Sequence, residues 1–318
     1  QLLDGLARTY ARSLPRLAMG ALNRTGDIHF AQDQWRQAKA AYRRVLTGFT
    51  TPNSQMAAAR LALAEILYRE ERFREALDLY EAEMASRPYE NRIYQLAREA
   101  YILKSLDGAN HLYRLGEVSS AQDLFYTLIR EDPSLVRAHR GYIRCSASKG
   151  EVDQALARYQ AQLQKDPHDP VMLYGQGLCL TYLEGKEALL EAKGLIEQAV
   201  RIQGEVSYFH QTLGYIHEVL ETVYQEPGHL ETAWASYQKA FFLNNPETDP
   251  KNGADLQRNL GNIAFLLGNF PKALDHYEQR LEAGYPFDQA ESEILFYRRL
   301  GVCAFQVGDN DRAVSVFS

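Results

Sequence analysis

Apolar side chains return every three to four positions along most of this chain, the spacing of one face of an α-helix. Short turns carrying Gly, Pro, Asn or Asp separate the periodic stretches. One phrase recurs. It consists of a Leu-Gly or similar small pair, an apolar cluster, a short turn, then a small residue followed four positions later by an aromatic. The clearest copy runs Leu260-Gly261, Phe265, Gly268-Asn269-Phe270, Ala273 and Tyr277. The next runs Leu300-Gly301, Phe305, Gly308-Asp309, Ala313 and Phe317. The two alanines are 40 residues apart, with the excess in the loop around Gly284, Tyr285 and Pro286.

Earlier copies use the same grammar. Gly26, Phe30, Trp35, Ala38 and Tyr42 form one; Ala64, Tyr68, Phe73, Ala76 and Tyr80 form another, closed by Pro88. Tyr113, Gly116, Ala121 and Phe125 are closed by Pro133, and Gly150, Ala155 and Tyr159 by Pro167. A fifth copy holds Gly177, Leu180, Ala192, Ile196 and Ala199; a sixth holds Leu213-Gly214, Ala233, Tyr237 and Ala240. Ala121 to Ala155 and Pro133 to Pro167 are both steps of 34 residues. Two helices approach closely only where one side chain is small, and an aromatic one turn on fills the remaining gap. A Pro after the second helix stops it, because Pro has no N–H and clashes with the preceding turn.

Period and phrase together resemble the tetratricopeptide repeat, one helix-turn-helix unit of 34 residues. The resemblance implies an all-α, right-handed superhelical solenoid. Residues 1–16 then form an N-terminal helix or cap, with Leu2, Leu3, Leu6, Tyr10 and Leu14 on or near one stripe. Residues 17–318 form about seven full repeats and a truncated eighth. Two departures stand out. Between Pro88 and Gly116 lie about ten residues more than the period allows. They include Tyr94, Leu96, Ala97, Ala100, Tyr101 and Lys104, which predict an elongated or additional helix. Loop insertions fall near Gln225-Glu226-Pro227-Gly228 and, smaller, near Glu184-Gly185-Lys186.

Charge and chemistry narrow the function classes. The net charge of −6 makes nucleic acid a poor partner, which also disfavours RNA-binding helical repeats of similar period. No apolar run approaches the ~20 residues of a transmembrane helix. No Gly-rich loop precedes a Lys-Ser or Lys-Thr pair, and no His-Glu-x-x-His or Cys-x-x-Cys occurs. His210 and His217 are about 10 Å apart along one helix, too far to share a metal, and His139 and His276 are isolated. A non-catalytic chain with no cofactor and no metal is expected. Cys145, Cys179 and Cys303 take the place that Ile28, Ile66, Ile216 and Ile263 hold in other repeats, so they are expected to be buried, reduced core residues.

The family resemblance also implies that the first helix of each pair lines a concave, protein-binding groove. On this chain that brings forward Tyr113 and Arg114, the stripe Arg137, Arg140 and Arg144, then Tyr174, Tyr215, Arg258, Asn262 and Arg298. The inventory is rich in Tyr and Arg, the side chains that most often dominate interface energetics. Arg258 with Asn262, followed by Arg298 and Arg299, imitates part of the carboxylate clamp found in some family members, but the match is incomplete. The expected partner is a protein or peptide, acidic or carboxylate-terminated, bound by a scaffold or adaptor. The alternative is a regulatory or substrate-recruiting region of a larger enzyme or envelope-associated lipoprotein. Self-association through the uncapped C-terminal repeat is a further expectation. Arginine outnumbers lysine, as in many bacterial proteins of high GC content. Buried thiols suit the cytoplasm and would survive in a periplasm; a signal peptide or lipid anchor removed before Gln1 stays open.

Overall fold

The structure, a computed structural model, describes residues 2–50, 53–70, 72–86, 92–287 and 290–317. Among these residues it contains seventeen α-helices and no strand. Pro88 lies outside the described residues, as do the side chains of Phe73, Tyr94, Leu96, Ala97 and Phe317. The chain divides into two compact units, residues 1–110 and 111–318. In the first, α1 (Leu2–Tyr10), α2 (Pro15–Ala31), α3 (Trp35–Gly48), α4 (Ser54–Arg69) and α5 (Phe73–Ser86) pack in sequence order. Next comes α6 (Arg92–Arg114), whose 23 residues account for the surplus after the second repeat.

The second unit holds the end of α6 and α7 (Val118–Glu131), α8 (Val136–Ser148), α9 (Val152–Leu163) and α10 (Pro170–Leu180). It continues through α11 (Lys186–Ile202), α12 (Ser207–Thr222), α13 (Leu230–Leu243) and α14 (Pro250–Leu266). It ends with α15 (Phe270–Glu282), α16 (Ala290–Gln306) and α17 (Asn310–Phe317). Within each unit, neighbouring helices stack as a solenoid, each touching mainly those before and after it.

What sets the helix spacing is a ring pressed onto a bare backbone. A Cβ on Gly261 would lie 2.5 Å from the Tyr277 ring, and one on Gly26 would lie 2.4 Å from Tyr42. Tyr237 presses on Gly214 in the same way. Phe125 and Tyr159 instead meet Gly141 and Gly175 of the following pair, so the wedge also works between consecutive pairs. The alanine four residues before each ring is buried: Ala38, Ala121, Ala155, Ala233 and Ala273 have no exposed surface. Turns within the pairs need a left-handed residue. Gly268 and Gly308 supply it at φ 73° and 87°, whereas Asp33 adopts it at 55° in the first pair.

The three cysteines are free and buried. Burial pushes their thiols up, to about 11 for Cys145 and Cys303 and about 12 for Cys179. Ile66, Ile216 and Ile263 are equally buried, but Ile28 is 42% exposed and is not a core residue. At 1.5 Å per residue, α1 spans about 13 Å against about 25 Å for α2, so it covers only the turns of α2 nearest their connection. At the other end of the chain Ile294, Phe305 and Val314 are exposed.

The histidines serve packing. His139 is buried between the Tyr159 hydroxyl and the Pro133 carbonyl oxygen, each at 2.9 Å. His210 Nε2 donates to the Gly204 carbonyl at 2.9 Å. His217 on α12 meets His229, in the loop before α13, at 2.7 Å between Nδ1 atoms. Burial, then the neighbouring His229 and Lys193, push His217 down to about 4 against the opposing Glu197.

Four outcomes are expected. Gly261→Ala should destabilise the protein by about 1–2 kcal/mol in urea unfolding, because overpacking of about 1–3 kcal/mol outweighs a helix-propensity gain of at most ~1. Gly194→Ala, on α11 with no heavy atom within 4 Å of its added Cβ, should instead stabilise by up to ~1 kcal/mol. Native-state labelling with a thiol reagent should leave all three cysteines unmodified until the protein unfolds. The folded state holds His217 neutral below its unfolded pKa of ~6.5, so the unfolded chain binds more protons there. Stability should therefore fall as pH drops from about 6.5 towards 4, and His217→Asn should flatten that slope.

Candidate functional site

The second unit encloses a concave groove of about 660 Å³. Alternate helices, α6, α8, α10, α12, α14 and α16, supply most of its lining, joined by Thr181 and Tyr182 from the turn after α10 and by Tyr237 of α13. Residues three and four apart on one helix share a face, so each of these helices contributes a short stripe. The lining changes character along its length. Arg140, Arg144, Tyr113 and Tyr182 mark one part, Gln211, Thr212 and Tyr215 the middle, and Glu218, Asp255, Arg258, Asn259 and Asn262 the other part.

At the basic part, each guanidinium lies over a tyrosine ring. Arg144 sits 4.1 Å from the centroid of Tyr113 and Arg140 5.2 Å from that of Tyr208. The Tyr113 hydroxyl is itself held 2.8 Å from Ser148 Oγ. A cation over an aromatic face is attracted by the ring quadrupole, and the planar guanidinium stacks there with its N–H edge outward. The third arginine of the stripe does something else. Arg137 Nε pairs with Asp249 at 3.2 Å, and its Nη1 donates to the Thr248 carbonyl at 2.9 Å. Asp249 also accepts the Tyr208 hydroxyl at 2.5 Å. One stripe on α8 thus reaches three different neighbours: α6, α12 and the start of α14.

The opposite part is a polar network. Tyr237 donates to Glu218 at 2.9 Å, and Tyr277 donates to Asn262 Oδ1 at 2.9 Å. Burial pushes the Glu218 carboxyl up, opposed by that hydrogen bond and by Arg299 and Arg258. Asp255 lies between Lys251 at 3.4 Å and Arg258 at 3.8 Å. Tyr215 projects from α12 with 45% of its surface exposed, which makes it an accessible flat side chain on the groove wall.

Of the ten residues the sequence brings forward, the groove gathers six: Tyr113, Arg140, Arg144, Tyr215, Arg258 and Asn262. Tyr174 is a correction. It has no exposed surface and stacks on Phe209 at 5.0 Å, because its position on α10 faces the neighbouring helix α12. Arg137 is a second correction, since its charge is spent on Asp249 inside the protein. Arg114 and Arg298 are exposed and lie outside the lining. Arg298 therefore does not join Arg258 in a clamp. Arg299 turns inward instead, over the Phe265 ring at 5.4 Å, and Asn262 has its oxygen occupied by Tyr277.

Sequence reasoning passed over Asp249, Tyr182, Asp255 and His229. Asp249 carried a signal: Asp before Pro250 at a helix start reads as an N-cap. Its side chain makes no cap hydrogen bond in the structure, because Tyr208 and Arg137 take its carboxylate. No group of three His, Cys, Asp or Glu residues able to hold a metal occurs among the described residues. No helix there is long and apolar enough to cross a membrane.

Comparison with known proteins agrees with this architecture. The tetratricopeptide repeat family profile matches residues 23–91 and 106–180. A tetratricopeptide repeat protein from Parabacteroides merdae is 14% identical over 90% of this chain and 98% of its own, with a TM-score of 0.51. The Cut9–Hcn1 hetero-tetramer of the APC/C gives 16% identity over 99% of this chain and 62% of that one, at a TM-score of 0.50. These are likenesses of fold. No curated protein is similar in sequence. Tetratricopeptide repeats generally mediate protein–protein interaction. The profile match marks residues 23–91 and 106–180 as tetratricopeptide repeats, and helix pairs of the same form run on to α17.

Proposed function

We propose that the chain is a non-catalytic scaffold whose second unit takes an extended segment of another protein into the groove. The segment presents a carboxylate, either an acidic side chain or a free C-terminus, to Arg140 and Arg144. The observation that carries this reading is the pair of guanidiniums laid over Tyr208 and Tyr113 inside one groove. Stacking fixes each cation before any ligand arrives, so less side-chain freedom is lost on binding. Arginine also grips a carboxylate with two parallel hydrogen bonds, which lysine cannot do. Tyr113, Tyr182 and Tyr215 offer flat apolar surface beside the charges. Arg258 and Asn262 are engaged with Asp255 and Tyr277 and act as polar wall. The same groove would serve a regulatory or recruiting region of a larger polypeptide equally well.

The test is selection from a display library of peptides with free or amidated C-termini, followed by titration of one selected peptide. Acidic and free-carboxylate peptides should be enriched. Arg140→Ala with Arg144→Ala should weaken binding about ten- to a hundredfold, since a hydrogen bond to a charged group contributes ~1.5–3 kcal/mol, and should reduce its salt dependence. Arg298→Ala should have no effect. Unchanged affinity and salt dependence in the double variant would remove this arginine pair as the binding site.

A further inference from the structure

Residues 5–26 carry four arginines, Arg8, Arg12, Arg16 and Arg24, and no Asp or Glu, in a chain whose net charge is −6. Three of them meet at one corner of the first unit. Arg8 lies in the last turn of α1, Arg12 in the connection, and Arg16 in the first turn of α2. All three are exposed, and among the described residues none forms an ion pair. The pair between Arg44 and Asp4, at 2.7 Å, brings the end of α3 to the same helix, where Arg43 is likewise exposed.

The corner is apolar as well as basic. Leu14 and Leu17 are about half exposed, at 51% and 48%. They stand outside the core that Ala18, Met19 and Leu22 form on the inner side of α2. Every residue from 12 to 17 is exposed, so the corner is a protruding tip in which arginine and leucine alternate. A protein partner would need a matching hollow to receive such a tip. A lipid surface does not, because headgroups part around a convex insertion, while phosphates meet guanidiniums and the acyl boundary accepts leucine.

We propose that this corner docks the protein peripherally on an anionic lipid surface. Leu14 and Leu17 enter the headgroup boundary, and Arg8, Arg12 and Arg16 meet lipid phosphates. The inference is independent of the groove, since it uses only residues of the first unit.

Co-sedimentation of the full chain with vesicles tests it. The chain should bind vesicles of phosphatidylcholine mixed with phosphatidylglycerol, should ignore phosphatidylcholine alone, and should be released by high salt. Arg12→Glu with Arg16→Glu should weaken binding by about tenfold or more. Leu14→Ser with Leu17→Ser should weaken it several-fold while leaving the salt dependence in place. All four positions are exposed, so helical circular dichroism and the urea midpoint should match the parent chain. Three results would overturn the proposal: no excess binding to the anionic vesicles at low salt, binding unaffected by charge reversal, or an arginine-dependent affinity for poly-glutamate without any for vesicles. The last would assign the corner to an acidic protein instead.

Discussion

A tyrosine or phenylalanine ring set against a glycine backbone is the contact on which this structure depends. It brings two helices closer than any side chain on the glycine would allow, and it turns a string of amphipathic helices into a stack of fixed spacing. In several pairs the ring does a second job. Its hydroxyl emerges on the far side and binds a polar residue of the facing helix: Asp27 for Tyr42, Glu218 for Tyr237, Asn262 for Tyr277. Glu218 and Asn262 line the groove. The atoms that hold the stack together therefore also orient part of the surface offered to a partner, and core and site are not separable parts of this fold.

The fold was largely legible because its signals repeat. The alanine-to-aromatic step recurs in register, and the surplus before Gly116 became one long helix, α6. The cysteines could be placed because each replaces an apolar residue at one position of that register. Ile28 shows where such reasoning stops. Its position in the repeat is the same, but burial depends on having a neighbour, and α1 is too short to provide one.

The site was legible in part, for a related reason. Helical spacing tells which residues share a stripe, and it collected Arg137, Arg140 and Arg144 correctly on one face. It does not tell which distant helix lies opposite. Asp249 is 112 positions from Arg137, in a loop whose local sequence suggested only a helix cap. Tyr174 failed in the reverse direction: a tyrosine at a groove-like position turned inward because Phe209 offered it a ring to stack on. Its burial is a tertiary fact that no single repeat encodes. The pairing of His217 with His229 likewise needed the path of the loop before α13.

The link from Arg137 to Asp249 and Thr248 also bears on how the second unit folds. A solenoid with contacts only between neighbours behaves as a one-dimensional chain, in which any segment can form or melt with little regard for distant ones. This link joins the start of α8 to the start of α14, with five helices between them, and Tyr208 of α12 shares the same carboxylate. Such a tie adds a non-local contact whose loop-closure entropy must be met before it forms. Once made, it couples the melting of helices that do not otherwise touch. The second unit is thereby expected to unfold as a more cooperative block than its nearest-neighbour stacking alone would give.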